Sequence, residues 1–203
     1  MIFLRHQQIL FDGDSITDAG RDRDDLESFG YGYVALVIRH LQAHHANLEL
    51  AFLNRGVGGD TTRDMLERFE PDILAHKPDW VSIAIGVNDV WRFFGDNVQD
   101  AVPLTEFEAN YRSMLERLGF ARLILVSPFL IEPNRNDPFR ARVDQYAAVV
   151  QRLALEFDAI FVPFQTAFDA SSLESSAFSE DRVHPNEIGS QLMAETFLRA
   201  IGA

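Results

Sequence analysis

The chain of 203 residues predicts an α/β fold: a three-layer α/β/α sandwich built on a five-stranded parallel sheet. Three observations carry this. Short apolar runs alternate with longer helical patterns from end to end, which is the pattern of parallel strands joined by crossover helices. There are five such runs, which favours the flavodoxin-like strand order 2-1-3-4-5. The residue types suited to catalysis follow the runs, where sheets of this kind bind their ligands.

The strand runs are 8–11, 48–54, 80–86, 123–127 and 159–163. Between them, apolar residues recur at helical spacing. Val34, Val37, Ile38 and Leu41 share one face. Val143, Tyr146, Ala147, Val150, Leu153, Ala154 and Phe157 hold a longer stripe. Ile188, Leu192, Met193, Thr196, Phe197 and Ala200 predict a last helix, begun by Pro185 and Asn186 as first-turn and capping residues. Polar loops at 18–32, 91–105 and 129–140 are long enough to shape a pocket. No repeat and no low-complexity stretch interrupts the pattern, so residues 1–203 are expected to form a single domain.

Composition narrows the function. The net charge of −13 repels phosphate backbones and anionic membranes, so neutral substrates are expected, with no nucleic acid and no membrane as partner. The absence of cysteine excludes disulfides, thiolate metal sites and cysteine nucleophiles. No basic stretch followed by a long apolar one opens the chain, and the expected location is the cytoplasm, although a chain already stripped of its leader would read the same. His40, His44 and His45 lack the carboxylate that would complete a zinc site and read as a solvated helix end. The charged segment 21–27 reads as a solvated loop. Residues 56–59 are glycine-rich, but without the Lys-Ser/Thr end of a phosphate loop.

The chemistry begins at Asp12-Gly13-Asp14-Ser15-Ile16-Thr17, directly after the first run. A serine on a tight glycine-containing turn off a core strand is exposed on a rigid support, as a nucleophile requires. Near the other end stands Asp181-Arg182-Val183-His184-Pro185. An Asp three residues before a His is placed to orient an imidazole, and that imidazole to take a proton from serine. Ser15, Asp181 and His184 are therefore the expected catalytic residues. Asn54-Arg55-Gly56-Val57-Gly58-Gly59 and Gly86-Val87-Asn88-Asp89 follow the second and third runs. A glycine-rich loop presents a backbone N–H unobstructed, and the Asn88 amide and the Ser15 N–H add further donors for an oxyanion. Asp14 and Asp89 are expected to brace their loops. Asp14, Trp91, Arg92 and Arg55 are the expected substrate-binding residues, with Arg21, Asp22, Asn134 and Arg135 nearby. Trp91, Phe93, Phe94 and Phe129 read equally as pocket lining, as core, or as subunit contacts of a homo-oligomer. No cofactor and no metal is called for.

These blocks, in this order, resemble the SGNH hydrolases, also called the GDSL esterase/lipase family, along the whole chain. The resemblance implies that family's three-layer fold, a Ser-His-Asp triad, and an oxyanion hole of Ser15, Gly59 and Asn88. Residues 13–21, 78–83, 88–92 and 181–185, together with Pro128-Phe129, Ile131-Glu132 and Asp144-Gln145-Tyr146, are similar to the intracellular acetylxylan esterase branch. Its members remove acetyl groups from xylo-oligosaccharides. Asp12 stands where the family has an apolar residue, and Glu180 where close relatives carry an aromatic. The resulting expectation is a serine esterase for short acyl esters, above all acetyl, acting on small acetylated sugars. A general short-chain esterase, thioesterase or lysophospholipase on the same triad is the alternative. A non-catalytic sugar-binding relative would not need the complete set of reactive residues.

Overall fold

Five parallel strands form one sheet in the order β2-β1-β3-β4-β5, as the sequence predicts. The computed structural model describes residues 1–203. In chain order the elements are β1 (Gln8–Gly13), α1 (Ser15–Asp18), α2 (Tyr33–His44), β2 (Ala51–Asn54), α3 (Thr62–Asp72), β3 (Trp80–Ala84) and α4 (Val87–Trp91). They continue as α5 (Leu104–Arg117), β4 (Arg122–Val126), α6 (Pro138–Glu156), β5 (Ile160–Val162), α7 (Phe164–Asp169) and α8 (Glu187–Ala200). α2 packs on α8, while α3, α5 and α6 pack in a row.

β1 is central: Ile9 pairs with Phe52 of β2 on one side and Trp80 of β3 on the other. Ile9, Leu10 and Phe11 are fully buried, as are Val81, Ile83, Ile124 and Leu125 on the neighbouring strands. Strands covered on both faces tolerate unbroken apolar runs, which is why these stretches lack alternation.

Most strand ends shift by one or two residues, β1 running on to Gly13 and β3 stopping at Ala84, and two further differences have a local cause. The run at 48–54 becomes a strand only from Ala51. Residues Ala46–Leu48 form a 3₁₀ turn that ends on Glu49 at φ 50°. A left-handed residue breaks the extended chain, and nothing in the local apolar pattern signals it. Pro185 lies before the N-cap rather than in the first turn. Asn186 is the cap of α8, accepting from the Gly189 N–H at 3.1 Å.

The carboxyl end of β1 carries a buried charge. Asp12 is fully enclosed and meets Arg68 of α3 through two contacts, at 2.8 and 3.1 Å. Arg68 also bonds Asp60 at 2.6 Å, Asp72 at 3.1 Å, and the carbonyls of Arg55 and Gly13. One guanidinium thus ties the ends of β1 and β2 to α3. Burial, opposed by that guanidinium, leaves the Asp12 carboxyl above its ordinary range.

Removing one member of a buried pair strands the other charge, at a cost of about 3–5 kcal/mol. Arg68→Met is expected to lose about that much stability in chemical denaturation. The double variant Asp12→Leu/Arg68→Met should recover part of the loss, because the fully enclosed Asp12 charge is removed with its partner while Asp60 still lacks its guanidinium. A double variant as unstable as the single one would contradict this account of the pair.

Candidate active site

Four loops meet at the carboxyl edge of the sheet. At the end of β1, a Cβ on Gly13 would stand 2.3 Å from the Ala84 carbonyl oxygen and 2.4 Å from Thr17 Oγ1. Only glycine allows the backbone to turn there. Asp14 then caps α1, its Oδ1 accepting from the Ile16 N–H at 3.0 Å. Ser15 is the first residue of that helix and is partly exposed. First-turn N–H groups have no partner inside a helix, and the Ser15 N–H donates to no protein acceptor.

The loop after β2 passes beside this turn. Asp18 Oδ2 accepts from the Gly58 N–H at 3.1 Å and from Arg23 Nη2 at 2.6 Å. Gly59 follows at φ 87°, a conformation that favours glycine. Its N–H has no protein acceptor, and its carbonyl accepts from Arg92 Nη2 at 3.1 Å. Asn88, at the start of α4, spends one amide proton on the Asp60 carbonyl at 2.9 Å. An amide has two, so the second remains. Asp89 is fully buried and accepts from the Thr62 N–H at 3.1 Å and the Thr62 hydroxyl at 2.5 Å. It therefore locks the start of α3 to α4. Burial pushes its carboxyl up to about 6 against those bonds.

The fourth loop precedes α8. His184 Nε2 lies 2.9 Å from Ser15 Oγ, and His184 Nδ1 lies 2.6 Å from Asp181 Oδ2. An ionised carboxylate accepts only, so Nδ1 carries the proton and Nε2 is free to accept from serine. Asp181 Oδ1 takes the N–H of His184 at 2.7 Å, that of Val183 at 2.9 Å, and the Ser179 hydroxyl at 3.0 Å. Partial burial works against ionisation, but the His184 ring and these three donors outweigh it and hold the carboxyl well below the usual carboxylate range. A serine, an imidazole and a carboxylate in line, with N–H donors alongside, form the arrangement that transfers acyl groups.

A cleft of about 450 Å³ opens over Ser15 and His184. Gly58, Gly59, Asn88, Trp91, Arg92, Gly95, Asp96 and Asn97 complete its lining. The Trp91 ring stands 6.0 Å from that of His184.

The structure thus gathers Ser15, Gly59, Asn88, Asp181 and His184, and adds Trp91 and Arg92 to the cleft. Asp14 takes the bracing role expected of it, capping the turn through the Ile16 N–H; at 2% exposed it does not line the cleft, which corrects its expected place among the substrate-binding residues. Arg55 is likewise outside the cleft, paired with Asp72. Arg21 is spent on the Gly56 carbonyl, and Arg135 on Asp169. Phe93 lies under Arg142, Phe94 stacks on Phe139, and Phe129 is core. The linear pattern does not single out Asp96, Asn97 or Ser179, and it reads Arg23 as part of a solvated loop; the serine two residues before Asp181 is the one visible hint. No group of three or more His, Asp or Glu side chains is arranged to hold a metal ion, and no helix is long and apolar enough to cross a membrane.

Comparison with known proteins fits this geometry. The model of the GDSL-like lipase/acylhydrolase family matches residues 11–192. The chain belongs to this family. Among its relatives is the acetylxylan esterase of Geobacillus stearothermophilus, 44% identical over 206 residues, with 97% of this chain and 94% of that one covered. The crystal structure of that esterase, Axe2, superposes at a TM-score of 0.96 with 43% identity, covering 100% of this chain and 97% of that one. LAE5, an alpha/beta hydrolase from the metagenome of Lake Arreo in Spain, superposes at 0.93 with 37% identity over 100% and 98%. The thioesterase 1/protease 1/lysophospholipase L1 of Escherichia coli is 25% identical over 144 residues, 70% of this chain and 63% of that one.

Burial pushes the Asp14 carboxyl up to about 7, against the Ile16 N–H that favours its charge. The unfolded chain releases that proton near pH ~4. Between these values the folded state holds a proton that the unfolded state has lost, so stability falls by about 1.4 kcal/mol per pH unit as pH rises. Asp14→Asn keeps the oxygen that caps Ile16 and removes this penalty. Thermal unfolding should show the variant gaining over wild type at pH 8 and little gain at pH 4. Equal differences at the two pH values would contradict it.

Proposed function

We propose that this protein is a serine esterase that removes acetyl groups from short, neutral carbohydrate esters such as acetylated xylo-oligosaccharides. The observation that carries the proposal is the unbroken line Asp181–His184–Ser15, at 2.6 and 2.9 Å, facing the open N–H of Gly59 and the amide of Asn88. In this reading, His184 Nε2 takes the Ser15 proton as Oγ attacks the acetyl carbonyl carbon. The N–H groups of Ser15 and Gly59 and the Asn88 amide stabilise the resulting oxyanion. The imidazolium, steadied by Asp181, returns the proton to the departing sugar oxygen. Water then attacks acetyl-Ser15 with His184 again as base, releasing acetate and restoring the serine.

The walls of the cleft support the substrate class. Apart from Trp91 they are glycine or polar residues, which suits a sugar face on an aromatic ring and hydroxyls on Arg92, Asp96 and Asn97. A void lined mainly by apolar residues under the turn, between Ile16, Val87, Val126 and Phe129, measures about 10 Å³. It cannot hold an acyl chain. The likeness to an acetylxylan esterase agrees with both points.

A series of acyl chain lengths, assayed beside acetylated xylose, tests the reading. Acetyl esters should be cleaved fastest, since each added methylene finds no surface on which to gain its ~0.8 kcal/mol. Acetate should be released from acetylated xylose, and Ser15→Ala should be inactive on every substrate while keeping the wild-type melting temperature. Octanoyl esters cleaved faster than acetyl, with acetylated xylose untouched, would replace this reading by a general esterase.

A further inference from the structure

Asp181 and His184 sit on a loop without regular structure, and their side chains are 44% and 46% exposed. Catalysis needs that loop held to a fraction of an ångström, yet exposed loops are ordinarily the mobile part of a fold. One internal anchor is Val183, buried beneath the loop. A second lies between the two reactive residues. Arg182 adopts φ 70°, which is uncommon and strained for a residue with a side chain. Its carbonyl accepts from the Ile131 N–H at 2.8 Å. Its Nη1 reaches Glu132 Oε2 at 2.9 Å and Asp137 Oδ2 at 3.2 Å.

Both carboxylates are themselves fixed. Glu132 Oε1 accepts from the Asn134 N–H at 2.9 Å. Asp137 caps α6, its Oδ1 accepting from the N–H groups of Phe139 and Arg140. Arg140 is 1% exposed. It donates to the Glu132 carbonyl at 2.6 Å and to both oxygens of Asp169 at 2.9 and 2.7 Å. A continuous set of charge-assisted bonds therefore runs from the interior, through the loop after β4, to the residue between Asp181 and His184.

We propose that Arg182 is a positioning residue that holds His184 in line with Ser15 by clamping its loop to Glu132 and Asp137. The inference rests on the reading of Ser15, His184 and Asp181 as the catalytic set. Glycine would adopt φ 70° without strain, so backbone geometry alone gives no reason for an arginine here. Exposed ion pairs contribute little to folding. The clamp acts on catalysis instead, where a displacement of about 1 Å costs on the order of 10²-fold in rate.

Steady-state kinetics on an acetyl ester, with melting temperatures alongside, test this. Arg182→Ala should lower kcat by roughly 10- to 10²-fold, with KM within about twofold and little loss of melting temperature. Arg182→Gly relieves the left-handed strain but lacks the guanidinium, and should fall as far. Arg182→Lys should recover part of the rate. Glu132→Gln/Asp137→Asn removes the charges from the other side and should reproduce the loss in kcat, which keeps the test open if Arg182→Ala does not fold. Wild-type kcat in Arg182→Ala or in the Glu132/Asp137 variant would overturn the proposal. So would full activity in Arg182→Gly, since only the backbone conformation would then matter. Failure of the underlying reading shows itself separately, as Ser15→Ala retaining activity while the Arg182 variants are impaired.

Discussion

The 2.9 Å contact between Ser15 Oγ and His184 Nε2 joins residues 169 positions apart in the chain, and much of the architecture exists to make it. Ser15 comes off the central strand, and His184 from the loop before the last helix. A parallel sheet brings both to one edge because every strand ends there. The loops of β2 and β3 arrive at the same edge with Gly59 and Asn88. No pair of elements adjacent in sequence could supply this set. The five-strand order matters to the chemistry mainly because it sets β1 between β2 and β3, so that the turn bearing Ser15 is flanked by both donor loops.

Charge is distributed in keeping with that task. The chain is strongly acidic, yet the acids near the site are assigned to different work by their surroundings. Asp14 and Asp89 are buried where ionisation is unfavourable, and each orders a backbone segment beside a reactive residue. Asp181, more open and surrounded by donors, is held ionised. Such a separation of carboxyl environments marks division of roles within a site. Arg68 supports the same edge from beneath: its bonds to Asp12, Asp60 and the Gly13 carbonyl connect the turn before Ser15 with the residue whose carbonyl orients Asn88.

The sheet was legible because strand-helix alternation is a local signal repeated along the whole chain. The site was legible in its blocks because Gly13 before Ser15, and Asp181 before His184, are short-range patterns with a direct geometric meaning. What escaped depends on partners distant in sequence. Nothing near Asp12 reveals Arg68, and nothing near Arg182 reveals Glu132 and Asp137. Asp14 and Arg55 look like substrate ligands in a linear reading because they sit in the right loops, but burial and an ion pair with Asp72 remove them. Glu49 breaks the second strand run through its backbone conformation, which an apolar pattern does not encode.

Covalent trapping tests the central claim most directly. The protein is incubated with a fluorophosphonate, digested, and its peptides are sequenced by tandem mass spectrometry. The account predicts one adduct, on Ser15, formed stoichiometrically with loss of esterase activity and strongly slowed in His184→Ala. Inactivation with the adduct on any other residue, or full activity with Ser15 modified, would contradict it.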